Sequence, residues 1–175
     1  MALVCLCRGN FYWPPHTTIL FCSIFLDKIV LDTLKSRYHR SAPLGIANEC
    51  MNKEKEMSLS NSESYYTLEY RHGPMSLVDE NTLILQLASQ DTGDYESGLL
   101  REMKEKGAAV AVFGEKASGL WDFADYAYFA ESGLNDLQLS PVAVLLGQLL
   151  GYHAARSKGL NPDSPRHLSQ AIVIS

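Results

Sequence analysis

The sequence is short of cysteine, carries no excess of basic charge, and has no apolar run long enough to span a membrane. Its four cysteines, Cys5, Cys7, Cys22 and Cys50, are too few and too unevenly spaced for the disulfide framework of a small secreted domain. Cys5-x-Cys7 has no second cysteine pair and no spaced histidine pair to complete a zinc site, so reduced thiols and no metal are expected. A net charge of −5 gives no broad electrostatic grip on nucleic acid or on an anionic membrane. The longest apolar run, Thr17 to Leu26, is half of the roughly 20 residues a membrane span requires. It also lacks the basic opening and small-x-small cleavage site of a signal peptide, so a cytoplasmic protein is expected. No internal repeat is present, and the only biased stretch is a short serine-rich one near residues 58–64.

An apolar share of 46% and a charged share of 20% over 175 residues describe one globular domain with a substantial core. Residues 45–57, "GIANECMNKEKEM", have helix-forming composition, with Ile46, Cys50 and Met57 available for an apolar side. "SLSNSESYY" then breaks the pattern, as a loop or short strand does. "TLILQLA" (82–88), "AAVAVFG" (108–114) and "YAYFA" (126–130) read as strands, and "AIVIS" as a last one. Between the first two, "GDYESGLLREMKEKG" places Tyr95, Leu99, Leu100 and Met103 at helical spacing and closes on Gly107. Ser140-Pro141 is expected to start a long helix, hydroxyl cap first and proline at the first helical position, ending at Gly159. Strands apolar throughout, alternating with helices, predict a three-layer α/β/α domain whose mainly parallel sheet is flanked by helices. In such sheets ligands sit beyond the carboxyl ends of the strands.

The beginning of the chain fits less well. "ALVCLCRGNFY" starts like a strand entering an Arg8-Gly9 turn, and Trp13-Pro14-Pro15 then interrupts it. Residues 1–44 therefore read as the start of a domain broken by an atypical insertion, and residues 45–175 as the domain proper.

Two groups of residues suit chemistry. Lys53 and Glu56, three apart, share one helix face; they form either a solvated ion pair or a charged base beside a cation that keeps it ionised. His72 sits in the corner Glu69-Tyr70-Arg71-His72-Gly73-Pro74, where it is either a turn residue or a proton carrier.

Three stretches carry a resemblance: "RGNFY" (8–12), residues 45–74 ending "EYRHGP", and residues 145–174 containing "GLNPDSPRHL". Together they resemble SIS (sugar isomerase) domain proteins, in particular the second SIS half of glutamine–fructose-6-phosphate aminotransferase and related aminosugar-phosphate deaminases and isomerases. The resemblance implies Glu56 as the enolisation base, Lys53 as its charged neighbour, and His72 as the group that opens the sugar ring, reaching the site of a neighbouring subunit. It implies Arg8, Gly9 and Gln170 as substrate-binding positions. The implied partners are a phosphosugar such as fructose 6-phosphate or glucosamine 6-phosphate and further copies of the chain in a homo-oligomer, with no metal or organic cofactor.

The sequence departs from the family in three places. Gln170 stands where the aminotransferase has a lysine, which points toward the deaminase-like relatives. The first SIS half, with its Ser/Thr phosphate loop, is absent, and Asp91 and Asp94 in "ASQDTGDYE" oppose a phosphate there. The connection between Tyr12 and Gly45 is longer than the family's. A non-catalytic sugar-phosphate-binding module, or an inactive fragment of such an enzyme, is the competing reading.

Overall fold

The computed structural model describes residues 28–33 and 42–168. Arg8, Gly9, Gln170, Cys5, Cys7, Cys22, the run Thr17 to Leu26 and the expected last strand lie outside the described residues. Five strands, β1 (Lys28–Thr33), β2 (Asn61–Tyr66), β3 (Thr82–Leu87), β4 (Ala109–Gly114) and β5 (Tyr126–Phe129), form one sheet in the order β2-β1-β3-β4-β5. Every pairing is parallel, with Leu31 of β1 opposite both Ser64 and Leu85.

The chain winds outward in both directions from β1 and β3, so right-handed crossovers place its helices on both faces. On one face lie α1 (Ala42–Ser58) and α4 (Asp136–Ser157), over a core of Ala47, Cys50, Leu83, Leu85 and Leu150. On the other lie the single turn α2 (Thr67–Tyr70) and α3 (Gly93–Glu105), over Tyr70, Ile84, Leu99, Leu100, Met103, Val110, Val112 and Trp121. Successive residues of β3 alternate between these cores, which is why its whole sequence is apolar or buried. The domain is the expected three-layer α/β/α fold.

Several details differ from expectation. β1 lies in the middle of the sheet, inside the stretch that reads as an insertion. β2 is a strand at the sheet edge, and its serines serve α1: Ser62 Oγ donates to Met51 O at 2.8 Å, and Ser64 Oγ donates to Asn48 Oδ1. An edge strand tolerates such polarity, so its sequence does not look like a buried strand. The buried stripe of α1 is Ala47, Cys50, Glu54 and Ser58, while Ile46 and Met57 are half-buried. In α3, Tyr95 is exposed and Glu96 is buried in its place.

Ser140 does not cap α4. The helix begins one turn earlier, because Asn135 and Gln138 form a reciprocal capping box: Gln138 N donates to Asn135 Oδ1 and Asn135 N to Gln138 Oε1, both at 3.0 Å. Two otherwise orphaned donors are satisfied at once, and Pro141 is carried inside the helix near its start.

α1 and α4 approach closely because α4 has no side chain where they cross. A Cβ on Gly147 would lie 2.2 Å from Cys50 Sγ and 2.7 Å from Cys50 Cβ. Its third neighbour is backbone, Cys50 Cα at 3.2 Å, so rotating the thiol aside does not relieve the clash. Gly147→Ala is therefore expected to destabilise the domain by about 1–3 kcal/mol, read as a lower midpoint in urea unfolding. An unchanged midpoint would show that the helices separate freely.

Candidate active site

Lys53 and Glu56 meet on the outer surface of α1, where Lys53 Nζ donates to Glu56 Oε2 at 2.8 Å. Glu49 adds a second carboxylate at 3.6 Å from the ammonium. The hydrogen bond to Glu56 is the main reason the Lys53 pKa is held above its ordinary value, so the lysine stays charged. Glu56 is 40% exposed and therefore open to a ligand. Its place along α1 is unexpected. It lies roughly 20 Å down the helix from Ala42, toward the amino ends of the strands and away from the crevice at their carboxyl ends.

His72 is on the other side of the sheet. It follows α2, with its N–H donating to Glu69 O at 3.1 Å, and Pro74 opens a single 3-10 turn directly after it. The corner is fastened to α3 by the ion pair of Arg71 with Glu102 and by Tyr70, which is buried in the α3-side core. Its imidazole is exposed. One chain thus brings Lys53 and Glu56 together and leaves His72 behind a sheet from both.

The crevice beyond the carboxyl ends of β3 and β4 holds a cavity of about 440 Å³, lined by Ser89, Gln90, Asp91, Lys116, Ser118 and Trp121 among others. Carboxylates of the chain itself occupy the hydrogen-bond donors of its first loop. Ser89 N and Thr92 Oγ1 donate to the two oxygens of Glu96, at 3.0 and 2.9 Å. Ser89 Oγ and Gln90 N donate to Asp136 Oδ2, at 2.9 and 3.3 Å. Burial pushes the Glu96 carboxyl up to about 7, and the bonds from Ser89 and Thr92 oppose that rise.

A second buried carboxyl went unread in the sequence. Glu54 has no exposed surface, accepts from Ser58 Oγ at 3.0 Å, and is pushed up to about 7 by burial. Lys158, the residue directly after α4, closes the same cluster, donating to Ser58 O at 3.0 Å and Ser60 Oγ at 2.8 Å. The spacing of Ala47, Cys50, Glu54 and Ser58 was the available signal, since it puts all four on one helix face. Among the described residues no group of three or more His, Cys, Asp or Glu side chains is placed to hold a metal ion.

No protein-family model matches the chain. It is 34% identical over 139 residues to glutamine–fructose-6-phosphate aminotransferase (isomerizing) of Caldanaerobacter subterraneus subsp. tengcongensis, over 77% of this chain and 22% of that protein. Against the crystal structure of glucosamine-6-phosphate deaminase from Thermotoga maritima the TM-score is 0.66 at 30% identity, over 85% of this chain and 41% of that one. The C-terminal domain of glucosamine-fructose-6-phosphate aminotransferase from Francisella tularensis gives 0.67 at 28% identity, over 79% and 38%. The chain belongs to the SIS domain family.

This SIS domain spans about a fifth of the length of the curated relatives it matches and about two fifths of these solved chains. Among its described residues no helix is long and apolar enough to cross a membrane.

Proposed function

We propose that this SIS domain processes sugar phosphates as part of an aldose–ketose isomerase or aminosugar-phosphate deaminase. The Lys53–Glu56 pair carries this reading: an exposed carboxylate that accepts a hydrogen bond from the Lys53 ammonium at 2.8 Å, on the family's base position. In the open-chain sugar, the Glu56 carboxylate removes the proton next to the carbonyl, and an enediol or enolamine forms. The protonated Glu56 then returns that proton to the adjacent carbon while the hydroxyl proton passes from one oxygen to the other, so isomerisation consumes no net proton. With the aminosugar the product is an imine, which water hydrolyses to the ketose and ammonia. Lys53 stabilises negative charge developing nearby. His72 moves the ring-oxygen proton during opening, and its separation from Glu56 within one chain fits a role in a neighbouring subunit of a homo-oligomer. Arg8, Gly9 and Gln170 are the proposed substrate-binding positions, with fructose 6-phosphate or glucosamine 6-phosphate as the ligand.

The test is turnover: interconversion of ketose and aldose from fructose 6-phosphate, and release of ammonia from glucosamine 6-phosphate. Activity with either substrate supports the enzymatic reading. Binding of a sugar phosphate by calorimetry with no turnover supports a binding module instead, and neither binding nor turnover leaves an inactive domain. One observation favours those alternatives, namely the carboxylates of Glu96 and Asp136 seated on the donors of the loop after β3.

A further inference from the structure

α1 and α4 are each followed by a left-handed residue, but only one of the two is glycine. Gly159 takes φ 70° after α4, whereas Leu59 takes φ 51° after α1. A residue with a Cβ disfavours that conformation, so the surroundings must hold it there. Leu59 is 42% exposed, and burial of its own side chain supplies little of the hold. Its two neighbours supply more. Ser58 and Ser60 are buried, and one ammonium bridges them across Leu59: Lys158 Nζ donates to Ser58 O at 3.0 Å and to Ser60 Oγ at 2.8 Å.

The ammonium also orders the hydrogen bonds behind the turn. It can only donate, and the arrangement that leaves every bond made has Ser60 Oγ accept from it and donate to Ser58 Oγ, 2.6 Å away. Ser58 Oγ in turn donates to Glu54, whose backbone O lies at 2.7 Å and Oε2 at 3.0 Å. Ser60 N donates to the same Glu54 O, at 3.3 Å. Lys158 is itself fixed, because its N–H donates to Ala154 O and Ala155 O at 3.2 and 3.1 Å. We propose that Lys158 is a positioning residue for Glu56, locking the last turn of α1 through the left-handed turn at Leu59.

Glu56 lies in that last turn, two residues before α1 ends at Ser58. Its hydrogen bond with Lys53 spans three residues and lasts only while the turn stays helical. Helices fray from their ends, where the last four carbonyls have no partner within the helix. Lys158 occupies one of these in α1, Ser58 O, from a separate helix end. Release of the turn at Leu59 would unwind α1 back toward Glu56 and part it from Lys53. The chemistry assigned to Glu56 rests on the proposed function, whereas the lock is a property of the fold alone.

Lys158→Met keeps the stem of the side chain and removes its donors. In the full chain, hydrogen exchange at the Ser60 amide is expected to quicken by about tenfold beyond any change in the core amides of β3, as for the loss of a bond from a charged donor. Lys53 reports on Glu56 without any turnover. Its bond to Glu56 is the main cause that holds its pKa high, so NMR titration of Lys53 is expected to give a lower pKa in the variant. Loss of the Lys158 charge alone would move that pKa the other way. Adding Leu59→Gly removes the Cβ that disfavours the turn and is expected to restore both readings. Where the parent turns over a sugar phosphate, kcat is expected to fall in Lys158→Met and recover in the double variant, with KM little changed. Should Lys158→Met not fold, Ser60→Ala removes one acceptor of the ammonium and is expected to shift exchange and titration the same way. Unchanged exchange, an unchanged Lys53 pKa, a loss that Leu59→Gly does not restore, or a kcat that stays at the parent's value while the turn loosens overturns the proposal. A parent without turnover overturns the proposed enzyme instead, and exchange and titration then decide the lock.

Discussion

Glu56→Gln is expected to lower turnover by about two to four orders of magnitude, the usual contribution of a positioned general base. The amide keeps the shape of the side chain and a hydrogen-bond acceptor for Lys53 Nζ, but it has no basic oxygen to take the proton from carbon. The loss should fall on kcat, because the proton moves only in the chemical step. Stability is the matched control. The Lys53–Glu56 pair is exposed on a helix surface, where such pairs contribute at most about 1 kcal/mol, so unfolding midpoints of parent and variant should nearly coincide. Unchanged turnover would remove Glu56 from the mechanism and return the pair to a solvated helix face. Lost turnover with a lowered midpoint would point to misfolding rather than chemistry, and Glu56→Asp then separates the two, since it keeps the base but shortens its reach.

What could be read from the sequence follows how each element is stabilised. β3 and β4 are buried on both faces, so continuous apolar runs announced them. β2 is an edge strand whose serines hydrogen-bond to α1, and it looked as much like a loop as a strand. β1 was missed because the chain before it resembled a different strand, and nothing in "KIVLDT" alone reveals the central position it takes. The start of α4 was misplaced by one turn, since a Ser-Pro signal was visible while the reciprocal bonds of Asn135 and Gln138 depend on geometry. For the candidate site, spacing sufficed to pair Lys53 with Glu56, because three residues on a helix fix the neighbours. His72 sits on a loop, and only the winding of the sheet decides which face that loop serves. The two buried carboxyls, Glu54 and Glu96, were not singled out; for Glu54 the only sign was its helical spacing from Ala47, Cys50 and Ser58, and a lone glutamate such as Glu96 gives no sign of its burial.

Those two carboxyls should make the domain more stable in mild acid than in mild base. Each is pushed up from 4.5 to about 7 by burial, so between these values the folded protein holds protons that the unfolded chain releases. Stability falls with rising pH wherever the folded state binds more protons. The cost accumulates from pH 4.5 and is complete a little above pH 7, at about 3 kcal/mol for each group. His153 acts in the opposite sense, since burial holds it below its ordinary value and its contribution is lost as the pH falls. Glu115 is raised by desolvation but lowered further by its bonds to Ser132 Oγ and to the backbone N–H groups of residues 132–134. Its net shift is downward, so it stabilises above pH 4.5 and is lost only below that, outside the window of interest. Two raised carboxyls therefore outweigh one histidine. Urea unfolding is expected to give a higher midpoint at pH 5 than at pH 8. Glu54→Gln should raise the midpoint at pH 8 and leave that at pH 5 nearly unchanged, because a neutral amide replaces a carboxyl that is already protonated in acid. The amide can still accept from Ser58 Oγ, and its NH₂ group stands where Glu54 Oε1 has no hydrogen-bond partner among the described residues. A midpoint that rises from pH 5 to pH 8 in the parent would mean that Lys158, near the Glu54 carboxyl, holds it ionised inside the fold.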